Sequence, residues 1–413
     1  MTAHAPQLDL LQGSEQFFPA LIHAFDGARE RILLESYIFD FTNSTTLVAE
    51  ALERAALRGV TVRLVVDGVG TGQLPVQWQA RFDAAGVQWQ IYSPLGTLGL
   101  LLPSRWRRLH RKLCVVDDAL AFCGGINLLD DYFDPNHGHL NAPRFDFAVR
   151  IHGPQALPIT TQIGEVMAQF WWRIQTSQAV RKQEFRSALA TVRTAGTRLM
   201  RNPLAGRSAT KKGAQEHVST LATIVFRDNF RNRKQIELNY RKAIGEAREH
   251  IVIANAYFLP GGKLRRALVH AAKRGVKVQL LLQGKYEYFM QYHASRPIFH
   301  ALLEAGIEIY EYAPSFLHAK VAVIDAQGHR PWATVGSSNL DPLSLLLARE
   351  ANLVVHDAAF AQELHAKLTH AMRSEGKRME PHAYESRPLR QRLLDWIAFG
   401  LMRFGLWVTG KSY

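Results

Sequence analysis

The chain repeats itself, and that repetition constrains its fold more than any other feature. From Ala24 it reads AFDGARERILLESYIF and from Ala243 it reads AIGEAREHIVIANAYF, with Ala, Ala-Arg-Glu, Ile and Phe in the same relative places. The agreement continues through Arg58-Gly59-Val60 against Arg274-Gly275-Val276 and Ala85-Gly86-Val87 against Ala305-Gly306-Ile307. In each half, helical stretches such as 46–57 alternate with β-rich runs such as 32–39 and 60–66, an order that favours α/β layers. A length of 413 residues accommodates two domains of about 200 residues each. The expected division is a first domain at 1–192, a basic linker at 193–215, a second domain at 216–386 and a C-terminal segment at 387–413. The linker assignment rests on the run RTAGTRLMRNPLAGRSATKKG, which has little apolar periodicity.

The chemistry sits at equivalent points of the repeat. The first half carries His110-Arg-Lys112-Leu-Cys-Val-Val-Asp117 followed by Gly124-Gly125-Ile-Asn127, and the second carries His318-Ala-Lys320-Val-Ala-Val-Ile-Asp325 followed by Gly336-Ser337-Ser338-Asn339. His and Lys two apart on a strand point to one face. A single H-x-K is weak evidence, whereas two copies with the same spacing to Asp and a trailing Gly-x-x-Asn point to one shared site. A phosphodiester repels nucleophiles with its charge, so its site needs cations and amide donors. Lys112, Lys320, Asn127, Asn339 and Ser337 supply them. One neutral imidazole can attack phosphorus while the other, as imidazolium, protonates the leaving oxygen. Asp146 and Glu350 are candidates to hydrogen-bond the imidazoles and fix their tautomers. Asp117 and Asp325 complete the motif, and their place at the ends of apolar strands suits holding it in position better than taking protons.

The paired H-x-K-x4-D and Gly-x-x-Asn elements resemble those of the phospholipase D superfamily. With NAYFLPGGKLRRAL, HAKVAVIDA, VGSSNLDPLS and DWIAFGLMRFGLWVTG, the chain is similar in particular to bacterial cardiolipin synthases of the B type. The resemblance implies two phospholipase D-like α/β/α domains in a pseudo-twofold unit with one active site. It also implies a covalent phosphohistidine intermediate, with neither metal nor cofactor, and His110 as the nucleophile. The implied activity is phosphatidyl transfer to phosphatidylglycerol, the alternatives being a phospholipase D-type hydrolase or a nuclease-like phosphodiesterase. Gly124-Gly125 departs from the Gly-Ser common in the superfamily, so one hydroxyl is absent from the first half.

Charge and patterning bear on the partner. Fifty Lys and Arg against 36 Asp and Glu give +14, which suits an anionic partner. The apolar run LGTLGLLLP at 95–103, with Leu100 and Leu101, precedes Arg105-Trp106-Arg107-Arg108, a pairing that an anionic bilayer attracts. Near the C-terminus, Leu393, Trp396, Ile397, Leu401, Phe404 and Val408 recur at helical spacing, joined by Trp407. Sixteen residues in a helix reach only about 24 Å against a hydrocarbon core of about 30 Å, so this segment is expected to lie on the membrane. Aromatic residues gather there instead of interleaving with Lys and Arg, so no nucleic acid is expected. The start of the chain has no basic run leading into a long apolar stretch. The expectation is therefore a peripheral protein on the cytoplasmic face of the bacterial membrane, binding anionic phospholipids such as phosphatidylglycerol. Cys114 and Cys123 lack metal-type spacing and read as buried free thiols.

Overall fold

The computed structural model describes residues 6–96, 103–135, 137–193, 221–228, 232–285, 289–341, 348–381 and 388–408. The first half runs β1 (Gln7–Gln12), α1 (Gly13–Gly27), β2 (Arg31–Ser36), α2 (Ser44–Leu57), β3 (Thr61–Asp67), α3 (Val76–Ala85) and β4 (Gln88–Tyr92). It continues with β5 (Arg108–Leu109), β6 (Leu113–Val116), β7 (Leu120–Gly124), the small hairpin of β8 (Phe133–Asp134) and β9 (Gly138–His139), β10 (Phe147–His152) and α4 (Leu157–Arg193). The second half follows the same plan with β11 (Ala222–Arg227), α5 (Gln235–Glu246), β12 (His250–Asn255), α6 (Gly262–Lys273), β13 (Lys277–Gln283), α7 (Phe289–Glu304) and β14 (Glu308–Tyr312). It ends with β15 (Lys320–Ile324), β16 (Trp332–Gly336), β17 (Ala348–Val355), α8 (Ala358–Ser374), β18 (Gly376–Arg378) and α9 (Leu389–Val408).

The two sheets have the same topology. One runs β1-β10-β7-β6-β2-β3-β4 and the other β11-β17-β16-β15-β12-β13-β14-β18, so each strand of the first has a counterpart in the second. The central pairs β2–β3 and β12–β13 are parallel and β2–β6 and β12–β15 antiparallel. Strands buried on both faces must be apolar throughout, which is why Ile32–Leu34 and Ile251–Ala254 read as unbroken apolar runs.

The repeated Arg-Gly-Val marks a helix stop. Gly59 and Gly275 take φ of 91° and 90°, a left-handed conformation open to glycine. The next amides, of Val60 and Val276, return to Ala55 and Ala271 carbonyls at 3.1 Å and turn the chain into β3 and β13.

Each sheet buries one face under its own helices. Phe17, Leu21, Phe25, Val48, Leu52 and Phe82 cover the first; Ile236, Tyr240, Leu264, Leu268, Ile298 and Leu302 cover the second. The remaining faces belong to one common core, in which Val115, Phe147 and Val149 of the first half join Val252, Val323 and Leu353 of the second. The expected linker falls almost wholly in 194–220, outside the described residues. Cys114 and Cys123 are free and buried, and burial pushes the Cys123 thiol up to about 12.

Candidate active site

Each motif histidine is carried into the site by pairing with the other half. The short strand β5 lies parallel to the start of β17, with Arg108 opposite Ala348 and Leu109 opposite Arg349, and the His110 amide donates to the Arg349 carbonyl at 3.0 Å. The second half repeats the device. Phe145 bridges Leu317 in parallel, its amide donates to the Phe316 carbonyl at 3.0 Å, and the His318 amide donates to the Phe145 carbonyl at 2.9 Å. Continuing both registers by one residue sets Glu350 beside His110 and Asp146 beside His318.

The side chains meet accordingly. Glu350 lies 3.1 Å from His110 Nδ1, and Asp146 lies 2.6 Å from His318 Nδ1. Each carboxylate follows one motif in the sequence and serves the histidine of the other. A proton on Nδ1, donated to a carboxylate, leaves Nε2 with its lone pair free.

Lys112 lies at the entry to β6 and Lys320 opens β15. Each Nζ donates to the carbonyl of its own histidine, at 2.9 Å for Lys112. Both lysines are buried. Burial, aided by the charge of Lys320, pushes Lys112 down to about 7. Burial also lowers His110, with Glu350 opposing and Lys112 adding. It lowers His318 well below the usual imidazole range, with Lys320 and Lys112 adding. Asp146 is pushed up to about 7 by burial, against the pull of Lys320. An entering phosphodiester reverses the shifts of lysine and histidine, because negative charge favours their protonated forms. Asn127 and Asn339 are buried, and among the described residues neither Oδ1 has a hydrogen-bond partner.

The sequence model described as "Cardiolipin synthase, PLD-like domain" matches residues 21–142 and 240–372, once in each half. A cardiolipin synthase B of Salmonella typhi is 33% identical over 96% of this chain and 88% of the relative. The chain belongs to this family. A cardiolipin synthase B of Escherichia coli strain K12 is 34% identical over 88% of this chain and 79% of the relative. Among solved structures, a phosphatidylserine synthase of Haemophilus influenzae superposes with a TM-score of 0.66 at 14% identity, covering 97% of this chain and 96% of the other. That likeness is one of fold.

Within this family member the two motif aspartates do structural work. The Asp117 carboxylate accepts from the Arg29, Glu30 and Arg31 amides at 2.8, 2.8 and 2.9 Å. Asp325 accepts from the Arg248, Glu249 and His250 amides at 2.8, 2.9 and 3.0 Å. Both take a positive φ, 50° and 47°, at the end of the motif strand opposite the histidine, and so anchor the motif. Ser337, expected near the phosphate, is fully buried and its hydroxyl donates to Glu350. His137 Nδ1 lies 3.0 Å from Asp134 in the small hairpin.

The halves differ around their histidines. Gly125 occupies the place of Ser337, and a Cβ there would meet the Asp146 carboxylate at 2.3 Å: the shorter acid sits where the serine would be. Tyr37 packs its ring 4.8 Å from that of His110, whereas the equivalent position after β12 is Ala256. Arg111, between His110 and Lys112, forms a buried pair with Glu35 at 2.8 Å; Ala319 and Ala254 stand at those positions in the second half. Of these differences the sequence flagged only the missing serine at Gly125, and aligning the repeats could also have exposed the Tyr37/Ala256 one.

The proposed membrane contacts fall in two places. Leu100 and Leu101 lie outside the described residues, while Trp106 is part-exposed on the turn Pro103–Trp106. At the C-terminus, α9 is 20 residues long, longer than the expected sixteen. It docks on α7 through buried Ala398 and through Asp395, which accepts from His293 Nδ1 at 2.6 Å. Its outer stripe is bare: Leu393, Trp396, Ile397 and Leu401 are 62%, 61%, 48% and 58% exposed. The Phe404 and Trp407 side chains lie outside the described set. Among the described residues no helix is long and apolar enough to cross a membrane.

Proposed function

We propose that this protein is a peripheral phosphatidyltransferase that makes cardiolipin, moving a phosphatidyl group onto the glycerol headgroup of phosphatidylglycerol. The observation that carries the reading is the pair of crossed imidazole–carboxylate hydrogen bonds around two buried lysines. His110 Nε2 attacks phosphorus, the bond to the headgroup oxygen breaks, and protonated His318 gives that oxygen its proton. Lys112, Lys320, Asn127 and Asn339 hold the non-bridging oxygens. In the second step neutral His318 takes the proton of the acceptor hydroxyl, the new P–O bond forms and the phosphorus–nitrogen bond breaks. His110 takes the nucleophilic role because Tyr37 and the Ser337-braced Glu350 hold its ring from two sides.

The bare apolar stripe of α9 and the net charge of +14 favour docking on an anionic bilayer, and the cytoplasmic face of a bacterial membrane is where we place it. The test is to incubate purified protein with phosphatidylglycerol vesicles and resolve the lipid products by mass. Cardiolipin is expected. Phosphatidic acid alone would make water the acceptor, and lipid left intact while a nucleic acid is cut would replace the reading with a nuclease.

A further inference from the structure

The corner beside His110 is closed and the matching corner beside His318 is open. In the first half Tyr37 fills it, and Asp67, at the end of β3, seals the floor by accepting from the Leu109 amide at 2.7 Å and from Arg108 Nη1 at 3.2 Å. The positions equivalent to Tyr37, Arg108 and Asp67 are Ala256, Phe316 and Gln283. Gln283 keeps the floor contact, its Oε1 accepting from the Leu317 amide at 3.1 Å. Beside Ala256 there is a cavity of about 30 Å³, also lined by Tyr257, Gln283, Lys285, Ser295 and Arg296. It adjoins the catalytic strand directly, since the Ala256 amide donates to the Ala319 carbonyl at 3.0 Å.

We infer that this cavity is the headgroup pocket that selects a glyceryl group for both steps of the reaction, an inference that rests on the synthase reading above. Gln283 Nε2 is buried and, among the described residues, has no hydrogen-bond acceptor; an amide donor left so costs free energy unless a ligand satisfies it. The space holds a group of one or two hydroxyls. Lys285, whose Nζ donates to the Pro314 carbonyl at 2.9 Å, gives the wall its net positive charge, Arg296 being paired with Glu311 at 2.7 Å; a cationic wall turns an ammonium headgroup away and admits a neutral polyol. The chemistry asks for one such pocket only. With phosphatidylglycerol as donor, the departing alcohol is glycerol, protonated by His318; the acceptor is the glycerol head of a second phosphatidylglycerol, deprotonated by the same His318. One group leaves and its twin enters.

The test partitions a single phosphoenzyme. Full-length protein is incubated with phosphatidylglycerol vesicles and equimolar deuterated glycerol and propan-1-ol, and cardiolipin, deuterated phosphatidylglycerol and phosphatidylpropanol are measured by mass. Both alcohols compete for the same adduct, so their product ratio is independent of the first step. The native protein should favour deuterated glycerol, and Gln283→Met should lower that preference roughly tenfold. Ala256→Tyr, which rebuilds the first-half ring in the pocket, should do the same while lowering cardiolipin formation. Cardiolipin formed with an unchanged ratio in both variants, or with no glycerol preference in the native protein, overturns the pocket and leaves the synthase standing. Absence of cardiolipin from the native protein overturns the synthase reading and this inference with it.

Discussion

Crossed wiring makes a prediction that runs against sequence order. Asp146 follows the His110 motif but bonds His318, so Asp146→Asn should behave like a lesion of His318. The asparagine keeps the volume and can still accept, but it loses the charge that holds Nδ1–H and supports the imidazolium. A hydrogen bond to a charged group contributes about 1.5–3 kcal/mol, or roughly 10- to 150-fold in rate. If the amide flips to donate, His318 is held in the wrong tautomer, and the loss approaches the ~10⁴-fold seen for the equivalent change in serine protease triads. The 2.6 Å contact places the expectation in the upper part of this span. The assay uses a phosphodiester with a nitrophenol leaving group, which departs without an acid. Rapid-quench peptide mapping should then find the adduct on His110 forming at a near-native rate in Asp146→Asn and persisting, because the base for the second step is impaired. Glu350→Gln should instead slow adduct formation. An adduct that forms slowly in Asp146→Asn and normally in Glu350→Gln would refute the assignment of the carboxylates, and equal effects on both steps would refute the division of labour.

Other consequences can be measured separately. Lys112 sits near 7 against about 10.5 when unfolded, so the unfolded chain binds more protons between these values and stability rises with pH across that window. The buried charge costs up to about 5 kcal/mol below pH 7. Lys112→Met should therefore abolish turnover yet raise the melting temperature, more at pH 6 than at pH 9.5 in calorimetry. Gly125→Ser should cost at least tenfold in rate, because its Cβ would displace Asp146 from His318; native activity in that variant would show the carboxylate to be movable. Changing Trp396 and Leu401 together to Ser should weaken sedimentation with anionic vesicles by at least tenfold, about 1.4 kcal/mol, without altering the circular dichroism melt. Finally, activity should persist in excess chelator, since the cationic work falls to the lysines, and loss restored by a divalent ion would contradict this.

The sequence made much of this legible because the repeat doubled every signal. His110 and His318, the lysines and the asparagines stand at matched positions, and the α9 stripe was readable because helical spacing is a local property. What stayed hidden depends on contacts between distant segments. Nothing in the order Asp146, Glu350 tells which histidine each will reach, since that follows from β5 pairing with β17 and Phe145 with Leu317. Ser337 has the residue type of a phosphate donor, and only the fold shows its burial against Glu350. The anchoring place of Asp117 and Asp325, by contrast, was legible, because each directly follows an apolar strand.

The exchange of strands between halves also has a consequence for how the enzyme comes into being. Glu350 lies 240 positions after the histidine it serves, an interval that a ribosome moving at about 5–20 residues per second takes on the order of 10–50 s to cover. Throughout that time the emerging first half can fold its own sheet and cannot tune His110. Competence for lipid chemistry therefore waits on the second half of the chain.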